Sequence, residues 1–277
     1  MALTIKTNVS ALQAMKTLQK TQLNLNSSIQ KVSSGSRINK SADDISGLTV
    51  SSRLRTDNQS LKQAMKNTNL GISVIQTAEG SLNEVYNILT RMRELAVQAS
   101  NDTYNSTDRS HMQIEFNQLR NEISNIASHT NFNRISILNS SDTMTFQIGI
   151  HNQSNNQFQL ALSTISATLG SLGISKTNAN ITTLSTSQKS ITTIDTALSS
   201  INDKRARLGA YQNRLESALN TAATYSQNLS ATISSISDVD YATETAEMTK
   251  FQIMQQSGVA ALSQAKSLPQ SVLSLLS

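Results

Sequence analysis

Apolar residues recur at alternating intervals of three and four along five stretches of the chain. The longest run spans residues 47–100, with the slots Leu54, Asn58, Leu61, Met65, Thr68, Ile72, Ile75, Glu79, Leu82, Tyr86, Leu89, Arg93 and Ala96. A repeat of 3.5 residues predicts a helix that packs along other helices. At about 1.5 Å per residue this helix would be about 80 Å long, so it needs partners along its whole length.

The first and last runs lie at the two ends of the chain. The slots of the first run are Ala11, Met15, Leu18, Gln22, Leu25, Ile29 and Val32. The slots of the last run are Met248, Phe251, Gln255, Gly258, Leu262 and Ala265. Asn8 and either Asp238 or Asp240 are predicted helix caps, and Gly35 is predicted to end the first helix. The simplest fold pairs residues 1–40 with residues 240–277.

Two internal runs are predicted to bundle with the longest helix. The polar stretch 101–106 predicts a turn, and a helix that starts near Asp108 folds back along the first one. Its slots are Met112, Phe116, Leu119, Ile123 and Ile126. The run from about residue 181 to 236 is a partner of nearly full length. We interpret Asp43 and Asp44 as capping residues of the long helix, since carboxylates stabilise helix N-termini.

The period changes to two after Thr143. Met144, Phe146, Ile148 and Ile150 alternate with polar residues or glycine, and Phe158, Leu160 and Leu162 do so after the polar loop 151–157. Two alternating runs around a polar loop predict a β-hairpin. The sequence therefore predicts a mainly α fold, a long antiparallel helical coiled-coil bundle with a small β-hairpin at about 140–178 and paired N- and C-termini.

Composition favours helices and excludes several kinds of chemistry. The 277 residues include 9 Gly, 1 Pro and no Cys, and 4% are aromatic. Without cysteine there is no disulfide, thiolate metal site or cysteine nucleophile. Walker, G-x-G-x-x-G, H-E-x-x-H and G-x-S-x-G motifs are missing, and the i, i+4 pair His111 and Glu115 lacks a third ligand. We therefore predict no enzymatic activity, no catalytic or metal residue and no cofactor.

The net charge of +5 is spread along the chain and forms no basic block, so no nucleic-acid partner is predicted. There is no apolar run long enough to span a bilayer, which predicts no membrane insertion. The start, MALTIK, lacks the features of a cleavable secretory signal. If the protein leaves the cell, we expect it to use an export pathway that recognises something other than a cleavable signal peptide.

Apolar seams at the two ends have too few partners within one chain. The predicted assembly seam consists of Met15, Leu18, Leu25, Ile29, Val32, Met248, Phe251, Leu262, Val272, Leu273, Leu275 and Leu276. Burial against other copies, repeated by a rotation that does not close, gives a helical filament. A closed coiled-coil oligomer would explain the seams equally well, and the pattern alone leaves both open.

Ordered motifs along nearly the whole chain resemble those of bacterial flagellin. They are IKTN at 5–8, SSGSRIN at 33–39, DDISGL at 43–48, GIS at 71–73, QTAEG at 76–80, RELAVQA at 93–99, RARLGA at 205–210, QNRLE at 212–216 and PQSVLSLL at 269–276. The resemblance implies a structural subunit of the extracellular flagellar filament, exported unfolded by the flagellar type III apparatus. It further implies an export chaperone, the filament cap and hook-associated proteins as partners.

The resemblance also implies a division into domains. Residues 1–43 plus 238–277 would form the terminal coiled-coil domain, which is the inner tube of the filament. Residues 44–237 would form the rod domain of long helices. The variable outer domain common in the family is missing, so this is a minimal form. A hook–filament junction protein shares the terminal helices and remains the alternative, while the missing H-E-x-x-H argues against a metalloprotease insert.

Two local features follow from the same resemblance. The family commonly has Phe-Asn-Gly where this chain has Phe132-Asn133-Arg134, so the local turn is expected to differ. Flagellins of many bacteria are recognised by a vertebrate Toll-like receptor through the first rod and its return helix. Arg91, Leu95 and Glu115 match that patch. Packing between subunits is the favoured role of these residues, and receptor recognition is the second hypothesis.

Overall fold

The computed structural model describes residues 7–274, with side chains as far as residue 267. In that part of the chain the helices are α1 (Val9–Ser34), α2 (Ile45–Ala99), α3 (Ser106–His129), α4 (Leu184–Ser237) and α5 (Tyr241–Ser274). The strands are β1 (Asn131–Phe132), β2 (Ile135–Ser136), β3 (Thr143–Gln147) and β4 (Gln157–Ala161). The predicted helical bundle with a small β-hairpin is confirmed.

The chain divides into two compact units. The first unit comprises residues 1–58 and 228–277, and the second unit comprises residues 59–227. Helices α2 and α4 each contribute to both units. The start of α2 and the end of α4 therefore group with α1 and α5, whereas the sequence-based domains divide at 43/44 and 237/238.

In the first unit, α1 and α5 run antiparallel, side by side. The Asn8 side chain caps α1 by accepting from the Ala11 N–H at 2.9 Å, and its amide donates to the Ala265 carbonyl at 2.7 Å. Near the other end of α1, Lys31 lies 3.6 Å from Glu244. Gly35 ends α1 with φ of 69°, the left-handed conformation that glycine adopts without strain. The predicted pairing of the two ends is thus present in the first unit.

The connections next to this pair are hydrogen-bonded to each other. Ser36 and Asp238 form an isolated antiparallel β-bridge. Arg37 donates from Nη2 to the Ile236 carbonyl at 2.7 Å, and its backbone N–H donates to the Ser237 carbonyl at 2.7 Å. The chain after α1 therefore continues into a segment fixed by backbone hydrogen bonds.

In the second unit, α2, α3, α4 and the β3–β4 hairpin enclose one apolar core. Fully buried side chains include Val74, Ile75, Leu82, Val85, Leu89, Met92, Phe116, Ile123, Ile194, Ile201, Leu208 and Leu215. The α2–α3 turn is closed by a capping box between Asn105 and Asp108. The Arg109 guanidinium donates to the Ala99 carbonyl at 2.9 Å, which satisfies an orphan carbonyl at the end of α2.

The predicted hairpin is present as β3 and β4, with Met144 opposite Leu160 and Phe146 opposite Phe158. Its strands are shorter than the alternation suggested, because Ile148 and Leu162 lie outside them. A second hairpin, β1–β2, was not predicted. Its two-residue turn consists of Asn133 and Arg134, with φ of 47° and 68°. Positive φ at both positions is the pattern of a type I′ turn, so Arg134 occupies a position where glycine is favoured.

The heptad assignment is wrong by one residue at alternate slots of α1 and α2. In α2 the pattern assigned Met65, Ile72, Glu79, Tyr86 and Arg93 to the seam, but the buried residues are Ala64, Gly71, Ala78, Val85 and Met92. In α1 the inward residues are Ala14, Thr21 and Ser28 in place of Met15, Gln22 and Ile29. Most of these buried residues are small and let two helix backbones approach, although their hydrophobicity is low. Val85 and Met92 are buried because they are more apolar than Tyr86 and Arg93.

Candidate functional site

The α1/α5 pair exposes large apolar side chains on its outer faces. Their exposed fractions lie between 42% and 66%, and they are Val9, Leu12, Met15, Leu23, Ile29, Ile253, Met254 and Val259. A groove between the two helices, lined by Met15, Leu18, Gln19, Gln22, Leu23, Gln255 and Val259, has a volume of about 450 Å³. The apolar side chains that line this groove form a local exposed patch, and such patches are typical of interaction sites.

The inner faces of α1 and α5 pack against each other largely through small or polar side chains. Leu25, Thr21 and Ser28 are the buried residues of α1. On α5 all six predicted slots from Met248 to Ala265 are half-buried, so the heptad assignment of α5 is confirmed. Gly258 is a point of close approach between the helices, because a Cβ there would lie 3.1 Å from Leu18 Cδ1. The two helices are close because one of them carries no side chain at that point.

The structure distributes the predicted seam residues over both faces. Met15 and Ile29 point outward, at 48% and 45% exposure, whereas Leu25 is 5% exposed and contributes to the pair itself. Five more residues are half-buried in the pair, namely Leu18, Val32, Met248, Phe251 and Leu262. Val272 and Leu273 belong to α5, but their side chains, like Leu275 and Leu276 altogether, lie outside the described residues. Sequence reasoning missed Leu12, Leu23, Ile253 and Val259, because they occupy no heptad slot.

The second candidate surface lies on α2 and α3 around Arg91. Arg91 bonds Glu115 on α3 at 2.9 Å and Glu94 at 2.9 Å, and these bonds raise the pKa of Arg91. Leu95 does not share this surface: it is 2% exposed and packs in the core, so its place in the predicted patch needs correction. The exposed apolar residues of α2 and α3 include Val97 and Ile114, at 46% and 60% exposure.

The connections of the first unit carry two stabilised carboxylates. Asp43 accepts from the backbone N–H groups of Lys40 and Asn39, which lowers the pKa of its carboxyl group. Asp240 accepts from the Thr243 hydroxyl at 2.7 Å and from backbone N–H groups at the start of α5, with the same effect on its pKa. Asp44 accepts from the Gly47 N–H at 2.8 Å. Asp44 therefore caps α2 as predicted, and of the two candidates for α5 the cap is Asp240. The prediction is wrong for Asp43, because its carboxylate bonds the loop before α2 and not the first turn of that helix.

Other kinds of site have little support in the described part of the chain. There, no three His, Cys, Asp or Glu side chains are grouped closely enough to hold a metal ion. Glu115, one half of the His111–Glu115 pair, is engaged by Arg91. Within residues 7–274, helices long enough to cross a bilayer are not sufficiently apolar to do so.

Comparison with known proteins gives a consistent result. The family described as "Bacterial flagellin N-terminal helical region" matches residues 5–143, and "Bacterial flagellin C-terminal helical region" matches residues 191–276. The Flagellar filament 33 kDa core protein of Treponema phagedenis is 40% identical, over 98% of this chain and 99% of its own length. The Flagellin of Halalkalibacterium halodurans is 40% identical, over 96% of this chain and 97% of its own length.

A solved structure supports the fold alone. It is described as that of a flagellar hook-associated protein from Vibrio parahaemolyticus, with a TM-score of 0.58 at 15% identity, covering 71% of this chain and 100% of that one. The near end-to-end match to flagellins favours a filament subunit over the hook-filament alternative, and it fits a short form without an outer domain. The chain therefore belongs to the bacterial flagellin family, whose members are structural subunits of the flagellar filament.

Proposed function

We propose that this subunit builds the filament by burying the exposed outer faces of its α1/α5 pair against neighbouring copies. The observation that carries the proposal is the set of apolar side chains, from Val9 to Val259, left exposed on a pair whose inner face is small and partly polar. Full burial of one Leu, Ile or Met side chain contributes about 1.5–3 kcal/mol. Several such side chains on each copy make association favourable, and a rotation that does not close extends it into a filament.

The domain arrangement follows the same logic. The α1/α5 pair, within residues 1–43 plus 238–277, would form the inner tube, and the helices of residues 44–237 would surround it. Support comes from the contrast in burial, since the second unit encloses its own core while the pair does not. The family is a structural one, and we propose that the chain has no catalytic role.

Export and capping bring further partners. We propose that the chain leaves the cell through the flagellar type III apparatus without a cleavable signal peptide. An export chaperone, the filament cap and hook-associated proteins would then bind it at successive stages. The motif matches and the family assignment support this export route. In this proposal the exported chain is located in the extracellular filament.

The assembly proposal is tested by seeded polymerisation, followed by sedimentation and electron microscopy. Leu23→Asp places a charge on a residue that is 63% exposed, and we expect it to abolish polymerisation without changing the circular dichroism of the monomer. Asn24→Asp adds the same charge at the next exposed position, with no loss of apolar surface, and should still polymerise. Discrete closed particles from the unmodified chain, or normal filaments from Leu23→Asp, would refute the proposal.

Two further variants separate pairing from assembly. Leu25→Asp introduces a carboxylate at the buried seam of α1, so we expect it to weaken the α1/α5 pair as well as polymerisation. A chain truncated after Pro269 should keep the second unit folded and fail to polymerise. If the truncated chain pelleted as filament, residues 270–277 would have no role in the seam.

We also propose that a vertebrate Toll-like receptor recognises the surface around Arg91 and Glu115. Both side chains are about half exposed and are joined by an ion pair, so together they present a fixed polar feature on α2 and α3. Arg91→Ala with Glu115→Ala should reduce signalling by the monomer in receptor reporter cells, with Lys189→Ala as the control. Leu95→Ala is unsuitable as a surface test because it also removes core packing. Undiminished signalling by the double variant would exclude this surface.

A further inference from the structure

A cleft opens in the second unit between α4 and the loop 148–156, which joins β3 to β4. One wall is a single face of α4, with residues at intervals of three and four, namely Ala218, Thr221, Ala222 and Tyr225. The loop lines the other wall, and Leu61 of α2 also borders the cleft. Its volume is about 380 Å³. Small-molecule sites range from about 300 to 1,000 Å³, so the cleft has room for a small ligand.

Hydrogen bonds fix the conformation of the loop 148–156. The N–H groups of Ile148 and Gly149 both donate to the Asn156 carbonyl, at 2.9 and 3.1 Å. The Gln147 amide donates to the carbonyls of Gly149 and His151, each at 2.9 Å. A Cβ at residue 149 would overlap the Asn156 side chain, so this conformation requires glycine there. The loop wall is formed before a ligand binds, which reduces the entropy cost of binding.

The base of the cleft is apolar and one of its walls carries an aromatic ring. Leu61 and Ala222 are buried, at 4% and 8% exposure, and Ile148 and Ile150 are half-buried. Tyr225 is the large side chain of the α4 wall, and it remains 45% exposed. A tyrosine ring offers a flat apolar face and a polar hydroxyl tip. The cleft therefore has a surface on which the apolar face of a flat ligand can stack.

Neutral hydrogen-bonding groups surround this apolar surface. The Thr221 hydroxyl donates to the Ser217 carbonyl at 2.9 Å, so its oxygen can accept a hydrogen bond from a ligand. The Asn155 carbonyl oxygen accepts from the Asn156 amide at 3.2 Å, and the Asn155 NH₂ group can donate to a ligand. The Tyr225 hydroxyl can both donate and accept. The cleft thus combines an apolar base with uncharged donors and acceptors.

The chemistry of the cleft limits the class of ligand. Of the described residues that line it, none is Asp, Glu, Lys or Arg. A phosphate or carboxylate ligand would therefore meet no counter-charge in the cleft, and a divalent cation would meet no carboxylate. A wholly apolar ligand would desolvate the amide and hydroxyl groups without replacing their hydrogen bonds. A pyranose ring has C–H groups on its faces and hydroxyl groups around its edge, and it matches both parts of the cleft.

We infer that this cleft binds a neutral saccharide, with a face of one pyranose ring on Tyr225 and its hydroxyl groups on Thr221 and Asn155. The site belongs to the second unit, whereas the proposed assembly surface belongs to the α1/α5 pair. Saccharide binding is therefore a function in addition to assembly, and it can be measured on the monomer.

The test titrates the isotope-labelled monomer with the methyl glycosides of glucose, galactose, mannose and N-acetylglucosamine, one at a time, and follows binding by NMR. At least one glycoside should bind with a Kd of about 1 mM, as expected for a ligand of this size. The shift changes should cluster at residues 148–156 and 218–225. The methyl glycoside of glucuronic acid, which adds a carboxylate, should bind no more tightly than that of glucose.

Variants at the aromatic wall identify the site. Tyr225→Ala should raise the Kd by about tenfold because it removes the stacking surface. Tyr225→Phe keeps the ring and should stay within about threefold of the unmodified chain. Tyr241→Ala removes an exposed tyrosine from α5, in the first unit, and should leave the Kd unchanged. Circular dichroism checks that each variant is folded.

Three results would overturn the inference. The first is that none of the four neutral glycosides binds at several times the expected Kd. The second is that folded Tyr225→Ala binds as tightly as the unmodified chain. The third is tighter binding of the glucuronic acid derivative, which would mean that the cleft recognises charge.

Discussion

The second unit and the α1/α5 pair have the same heptad spacing and differ in what they bury. In the second unit Val74, Leu82 and Leu89 of α2 are fully enclosed. In α5, by contrast, the side chains from residue 241 to 267 are at most half-buried. Three helices and a hairpin can surround a side chain, whereas two helices can cover only one stripe of each other.

This difference separates stability from assembly. The second unit has a core that can keep it folded as a monomer. The α1/α5 pair keeps about eight large apolar side chains in contact with water until other copies cover them. Most stability of a protein helix comes from packing of its apolar face, so we expect the pair to gain more from burial against other copies than the second unit does.

The largest expected effect tests the core of the second unit. Phe116 is fully buried, and Phe116→Ala should lower the free energy of unfolding by about 3–5 kcal/mol because it leaves a cavity. Ile114→Ala on the same helix, at 60% exposure, should cost less than about 0.5 kcal/mol. Urea denaturation followed by circular dichroism measures both. Equal losses would mean that Phe116 contributes no more to stability than an exposed residue, and hence that the second unit lacks a well-packed core.

A smaller effect compares one helical glycine from each region. A Cβ at Gly209 meets nothing within 4 Å, so Gly209→Ala should stabilise the second unit by up to about 1 kcal/mol through helix propensity. At Gly258 the added Cβ meets Leu18 at 3.1 Å, so Gly258→Ala should gain less or weaken the α1/α5 pair. Thermal melts of the two variants give the comparison. An equal gain at both sites would show that close approach at Gly258 is unimportant.

The next prediction concerns backbone strain at Arg134, in the β1–β2 turn of the second unit. Its φ of 68° costs a non-glycine residue about 1–2 kcal/mol, of which Arg134→Gly should recover about 0.5–1 kcal/mol after the added freedom of the unfolded chain. Arg134→Ala removes the charge and keeps the strain, so it should bring no gain. Chemical denaturation distinguishes the two. A gain in the alanine variant would assign the effect to charge.

The smallest effect concerns pH and the connections of the first unit. Asp43 and Asp240 have lowered pKa values in the folded state, so they stabilise it above the unfolded value of about 3.9. That stability is lost as the pH falls below about 4 towards their folded pKa values. Asp43→Asn with Asp240→Asn should flatten the decline of melting temperature in this range. A decline as steep as that of the unmodified chain would show that other carboxylates control it.

Helix limits and caps were largely predictable from the sequence. The capping roles of Asn8 and Asp240, and the half-buried face of α5, follow from local chemistry and from a period that is free of slips. The β1–β2 hairpin was missed because strands of two residues show no period and Arg134 is not a typical turn residue. The site was predicted less well. Met15 and Ile29 are exposed because the inward positions belong to Ala14 and Ser28, and Leu95 is buried where a surface residue was expected.

The sequence by itself determined the number and order of the helices, the main hairpin and the family, because each depends on local periodicity or on ordered motifs. The tertiary structure decided which of two adjacent residues faces a partner. That choice depends on how closely two backbones approach. Gly71, Ala78 and Thr21 take the buried positions because they are small, although their neighbours are more hydrophobic or larger. The residues displaced to the flanks are then available to other copies. Exposure on the finished fold, and not position in the repeat, identifies them.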